Sequence, residues 1–161
     1  LKDKNVDMLT RHKVYTKAEL ESRYEITLEN YCKTVTIEAR TMVDMTRKEI
    51  LPAVSGYTKD LSDTLLAKAA AVPGLSGAYE KELITRLSGL TDGIAAAVDG
   101  LDASVAALAG ESGAAAEADA IRDVILPRMD SLRALCDEAE TVTAAKYWPF
   151  PTYGELLFGV R

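Results

Sequence analysis

One histidine, His12, and two cysteines, Cys32 and Cys136, are the scarce chemistry-bearing side chains of this 161-residue sequence. A nucleophilic site needs Ser or Cys beside a base, a zinc site needs clustered Cys and His, and a di-iron bundle needs two Glu-x-x-His pairs. His12 sits between Arg11 and Lys13, ahead of the first long helical pattern, and reads as a solvated surface histidine. A single histidine outside the helices excludes the di-iron class. Neither cysteine has a Cys-x-x-Cys partner, so zinc is not expected; both lie in helical pattern, where a free thiol packs as a small hydrophobe. There is no Walker loop, no Gly-x-Gly-x-x-Gly stretch and no Ser/His/Asp constellation. No catalytic, cofactor-binding or metal-ligating residue emerges.

Binding chemistry is better represented. The stretch KYWPFPTYGELLF, Lys146 to Phe158, holds the only Trp, both Phe and two of the five Pro residues. Pro149 and Pro151 predict the end of a helix and an extended segment carrying Trp148 and Phe150. Together with Tyr15, Tyr24, Tyr31, Tyr153 and Phe158, these aromatics exceed what a thin helical bundle needs, and aromatics of this kind serve as interface anchors. They are the candidate interface residues. A plug over the end of a bundle is the plainer use of the tail and is compatible with that role. Glu25, Glu38 and Arg40 lie near the apolar face of the first long helix. Flanking charges reaching to water are favoured over buried contacts with a partner domain. Met42 and Met45 are assigned to the core.

The elements that must position these residues are helices. Apolar residues at Leu20, Tyr24, Leu28, Tyr31, Val35, Ala39, Met42 and Met45 step by three and four, the stripe of an amphipathic helix. Thr16 and Glu19 predict a capping box at its start, with Tyr15 and Leu20 placed as a hydrophobic staple. Pro52 interrupts this helix, but the stripe resumes in phase at Val54, Tyr57 and Leu61, which favours a kink over a break. VPGLSG is a turn, with Ser76 the next N-cap. A second stripe runs from Tyr79 through Leu87, Ile94 and Leu101 to Leu108, with Gly89, Gly93 and Gly100 as points where helices could approach closely. A third runs from Ile121 through Val124, Leu132 and Leu135 to Val142, with Pro127 inside it. The expected fold is all-α, an elongated up-down antiparallel bundle of three to four long helices with proline kinks and an extended aromatic tail. Residues 1–16 form a short lead-in helix, 17–146 the bundle and 147–161 the tail.

Composition agrees with one globular domain at 48% hydrophobic and 27% charged residues. Up to Asp60 the chain carries 11 Lys/Arg against 10 Asp/Glu, while the rest carries 8 against 15. The acidity of the later helices argues against nucleic acid as a partner. No secretory leader is read, and no apolar run is expected to reach the length of a membrane span. A reduced, cytoplasmic setting is the expectation, and the start at Leu1 without Met suggests a fragment.

At both ends the residues become specific. Val14 to Val54, with SRYEI, IEARTM and ILPAV, resembles the C-terminal region of type III glutamine synthetases, and RDVILPRMDSLRALCDEAE and WPFPTYGELLF are similar to that family's closing helix and tail. Across the Ala-rich middle, Leu66 to Ala120, only helix pattern matches. The resemblance implies a parent enzyme that joins ammonia to glutamate with ATP and divalent Mg or Mn, built on a β-grasp and catalytic barrel and assembled as double rings. None of the family's catalytic motifs falls on a position here, so no catalytic residue carries over and the fragment itself is expected to be inert. Its implied partners are the barrel of the same chain and neighbouring subunits. Two other classes stay open: a free-standing helical sensor or ligand-binding bundle, which flanking membrane spans would mark, and a catalytic contribution from Glu155 or Arg161.

Overall fold

The computed structural model describes residues 1–159 and, of Tyr153, the backbone. Val160 and Arg161, and with them the suggestion that Arg161 reaches an active site, lie outside the described residues. Among the described residues the chain is all-helical, without a β-strand. The helices are α1 (Asp3–Arg11), α2 (Lys17–Met45), α3 (Leu51–Ala71), α4 (Ala78–Ala107), α5 (Ala114–Ala120), α6 (Leu126–Val142) and α7 (Tyr153–Phe158). α4 is the central element and packs against α3, α6 and α2. Its stripe is the heart of the core, with Leu87, Ile94, Val98 and Leu101 fully buried.

α2 begins as its sequence dictates. The Thr16 hydroxyl accepts from the Glu19 amide, and the Glu19 carboxylate accepts from the Thr16 amide. That reciprocal pair satisfies two otherwise orphaned donors. α4 departs from expectation: Gly77, not Ser76, is its N-cap, and it makes no side-chain cap. Gly74 and Gly113 sit at φ +85° and +95° in the α3–α4 and α4–α5 loops, where a Cβ would be strained.

Both internal prolines are absorbed in the same way. Helical backbone runs from Lys17 to Ala71 through a π turn at Thr46–Ile50, placed just before Leu51-Pro52. A second π turn, Ile121–Ile125, precedes Leu126-Pro127. In each, the leucine amide donates five residues back, Leu51 to Thr46 and Leu126 to Ile121. The wider turn relieves the clash between a proline ring and the carbonyl one α-helical turn earlier, so the helix continues instead of breaking. An arginine within the first turn and one just beyond the second each reach one short stretch of α4. Arg47 forks onto Asp99 and Asp102 at 2.7 and 2.6 Å, and Arg128 donates to the Gly100 carbonyl at 2.7 Å. Gly100 is the one helical glycine whose missing Cβ matters, because a Cβ would come within 2.8 Å of that guanidinium. Gly93 would meet Leu135 at ordinary contact distance, and Gly89 faces open space.

Three expectations need correction. The unbroken helix from Ala78 to Gly110 does have the length and composition to cross a membrane. Ala and Gly fill many of its outward positions where charges would be usual, leaving few charges such as Asp99 and Asp102; here it is the core helix, held between α3 and α6. Met45 is exposed, whereas Met42 is half-buried against the core. Tyr24, Tyr31, Tyr79 and Val124 also face outward, and Cys32, Ile125 and Cys136 take buried positions in the seam. Both thiols are free, and the Cys32 Sγ lies 3.7 Å from the Ala114 carbonyl beside the tip of the α4–α5 hairpin.

Between α3 and α4, Glu80 is buried at 5% exposure and takes a 2.5 Å hydrogen bond from the Lys68 ammonium. That bond holds the Glu80 carboxyl below its ordinary 4.5. A depressed carboxyl contributes stability above 4.5 that is lost as pH falls through the lower folded value. Melting temperature should therefore drop on acidification below about 4.5, and Glu80→Gln should flatten that limb relative to the unaltered chain, as a calorimetric pH series would show.

Candidate functional site

The tail is fixed in place by two sets of contacts. α6 ends at Val142, where the stripe ends and four residues before the expected bundle boundary at 146, and a turn closed by the Tyr147 amide donating to the Ala144 carbonyl follows it. The Tyr147 hydroxyl donates to the Asp60 carboxylate on α3, and its ring rests on Tyr57 at 5.1 Å between centroids. The Lys146 ammonium lies over the same ring, 4.5 Å from its centroid. This latch sets Trp148 and Phe150 edge to face, 6.2 Å apart and 79° between planes, against the hydrophobic core. Tyr147→Ala should free the segment. Trp148 emission should shift to the red and proteolysis between residues 143 and 148 should accelerate, with little change in the melting temperature of the bundle.

The second contact set builds α7. The expected extended tail is only partly extended: after Pro151, Thr152 caps a new helix, accepting from the Glu155 amide while the Glu155 carboxylate takes the Thr152 amide and hydroxyl. These bonds hold the Glu155 carboxyl below its ordinary value. They also commit Glu155 to the cap, which is a structural use for a residue considered as a catalytic contributor. Leu156, Leu157 and Phe158 on α7 are 66%, 70% and 82% exposed. Consecutive helical positions diverge by about 100°, so these side chains cannot share one face.

Between α2, α6 and the tail lies a groove of ≈740 Å³. Ile37, Met42 and Met45 from α2 form one wall, Met129 and Cys136 from α6 the other, and Trp148, Phe150 and Leu156 close the end. Three of the four methionines in the chain are here, next to its only tryptophan. Methionine is flexible and polarizable, which suits a surface that must adapt to an apolar partner. Burial pushes the Cys136 thiol up, with Thr46 opposing, so it sits in the wall as an apolar neutral group.

The candidate interface residues fall into two groups. Trp148 and Phe150 line the groove, and Phe158 stands beyond it on α7. The side chain of Tyr153 lies outside the described residues. Tyr15, Tyr24 and Tyr31 are not brought to the groove. Tyr15 carries the Arg23 guanidinium over its ring at 4.8 Å, Tyr24 lies beside the hairpin tip at Gly113, and Tyr31 is exposed on α2. Ile37, Met45, Met129, Leu156 and Leu157 escaped sequence reasoning as site residues. For α7 a signal existed, the Thr152-x-x-Glu155 repeat of the Thr16-x-x-Glu19 pattern. Glu25, Glu38 and Arg40 are exposed, and His12 is exposed at the end of α1. Among the described residues no three His, Cys, Asp or Glu side chains converge, so the donor set does not fit a metal ion. The groove is an arrangement suited to binding an apolar partner.

Comparison with known proteins gives the surface its context. Residues 1–69 match the family described as glutamine synthetase C-terminal domain. Over the whole chain, it is 37% identical to a glutamine synthetase of Butyrivibrio fibrisolvens, of which it covers 23%. It is 24% identical over 97% of its length to a type-3 glutamine synthetase of Dictyostelium discoideum, covering 22% of that protein. A glutamine synthetase of Bacteroides fragilis is 26% identical over 94% of the chain, which covers 21% of it. The chain thus spans less than a quarter of the length of these relatives. Residues 1–69 belong to the glutamine synthetase C-terminal domain family, and over its whole length the chain is similar to one part of these synthetases.

Proposed function

We propose that this chain is the structural and oligomer-interface domain of a type III glutamine synthetase. It packs against the catalytic body and neighbouring subunits of an enzyme that makes glutamine from glutamate and ammonia at the expense of ATP. One observation carries the reading. The tail is held by the Tyr147 latch and the Thr152 cap, yet it leaves Leu156, Leu157 and Phe158 uncovered. A segment so held and so apolar is a docking element, since large apolar side chains left uncovered all round a short helix are otherwise a liability. Chemistry belongs to the rest of the polypeptide in this reading: ATP and the divalent metal are bound there, and the residues described here supply no ligands for either. Two buried free thiols are compatible with work in a reducing cytoplasm.

Deleting residues 148–161 from the full-length synthetase and measuring its mass in solution tests the proposal. Loss of the native oligomer with the subunits still folded is the expected result. An intact oligomer with full ligase activity would sink the reading.

A further inference from the structure

We infer that the groove between α2, α6 and the tail receives an amphipathic helix with an aliphatic face and basic flanks, contributed by the part of the synthetase polypeptide that this chain does not cover. The inference rests on the interface reading above and names the partner's chemistry. The floor and end of the groove are apolar, with Ile37 left 65% exposed on one wall. Such a channel between two helices takes the apolar stripe of a third.

Charge narrows the choice of occupant. Glu38 stands on the α2 wall and Glu140 on the α6 wall, and among the described residues neither has an ion pair. The one lining arginine, Arg133, is engaged by Asp137 at 3.5 Å. The cleft alongside holds Arg40 and Glu49 together with Asp44, which Lys48 pairs. A helix seated between Glu38 and Glu140 meets a carboxylate on each side, so lysine or arginine at its flanks complements the site. A second copy of this chain brings a formal charge of −6 and would set like charges together. The relatives' remaining length supplies the polypeptide from which such a helix can come.

Trp148 lines the groove and is the only tryptophan, so its emission reports occupancy directly. The 161-residue chain is titrated with a synthetic leucine/lysine helix and with its leucine/glutamate counterpart. The expected result is a saturable blue shift with the lysine peptide alone. Ile37→Glu with Met45→Glu should abolish the shift although the chain becomes more acidic, which separates seating from bulk charge attraction; circular dichroism checks that this variant stays helical. Glu38→Lys with Glu140→Lys should weaken binding by about tenfold or more and flatten its salt dependence. Equal response to both peptides, or an unaltered response in the Ile37/Met45 variant, overturns the inference. So does a shift that depends on protein concentration without peptide, which would make a second copy the occupant. Failure here with loss of assembly on deleting 148–161 rejects the occupant and leaves the interface reading standing.

Discussion

Leu101→Ala should lower the free energy of unfolding by about 3–4 kcal/mol, the largest single effect expected on the fold. Leu101 is fully buried on α4, the helix that packs against α2, α3 and α6, and it lies between Gly100 and Asp102, where the two proline-bearing helices are tied down. The site has little freedom to collapse, because Arg47 and Arg128 hold both π turns against that stretch. A cavity left there keeps most of its cost. Denaturant titration checks it, together with a fall of about 10 °C in melting temperature for a domain of this size. A loss below about 1 kcal/mol would mean that α4 is not the packing centre.

Leu157→Glu combined with Phe158→Glu should have the opposite profile. Both side chains are exposed on α7, so stability of the 161-residue chain should change by less than about 0.5 kcal/mol. In the full-length synthetase the same pair should break the contact proposed for α7. Burying two unpaired carboxylates is prohibitive, so the native oligomer should be reduced at least ~100-fold in apparent affinity. Analytical ultracentrifugation of the full-length variant reads the second effect, and chemical denaturation of the short chain reads the first. A destabilised short chain would indicate instead that α7 is part of this domain's own core.

How much of this was written in the residues differs from element to element. Thr16-x-x-Glu19 announces the start of α2, because a capping box is local and uses only neighbours in sequence. The all-helical class follows equally well from stripes spaced by three and four. Face assignment is harder: Tyr24, Tyr31 and Met45 sit on the predicted stripe yet face outward, while Cys32 and Cys136 fill the seam. A helix packed on one central neighbour buries a narrower strip than its apolar residues cover, and only the neighbour decides which ones. The prolines mislead in two ways. Before Pro52 and Pro127 a π turn forms, which no propensity scale signals, and around Pro149 and Pro151 they hide the cap that starts α7. The groove is the least legible feature. Its walls come from α2 and α6, about 90 residues apart in sequence, and its sulfur-rich lining looks like ordinary core until the fold leaves it open.

Hydrogen–deuterium exchange, compared between the 161-residue chain and the full-length synthetase, tests most directly whether the groove and α7 are a covered docking surface. In the short chain the amides of Tyr153 to Phe158 should exchange rapidly, since a six-residue helix with three outward apolar side chains has little to protect it. In the full-length protein the account predicts slowing by about 100-fold or more there, with matching protection of the α2 and α6 walls beside Ile37 and Glu140. Identical exchange of these segments in the two proteins would contradict it.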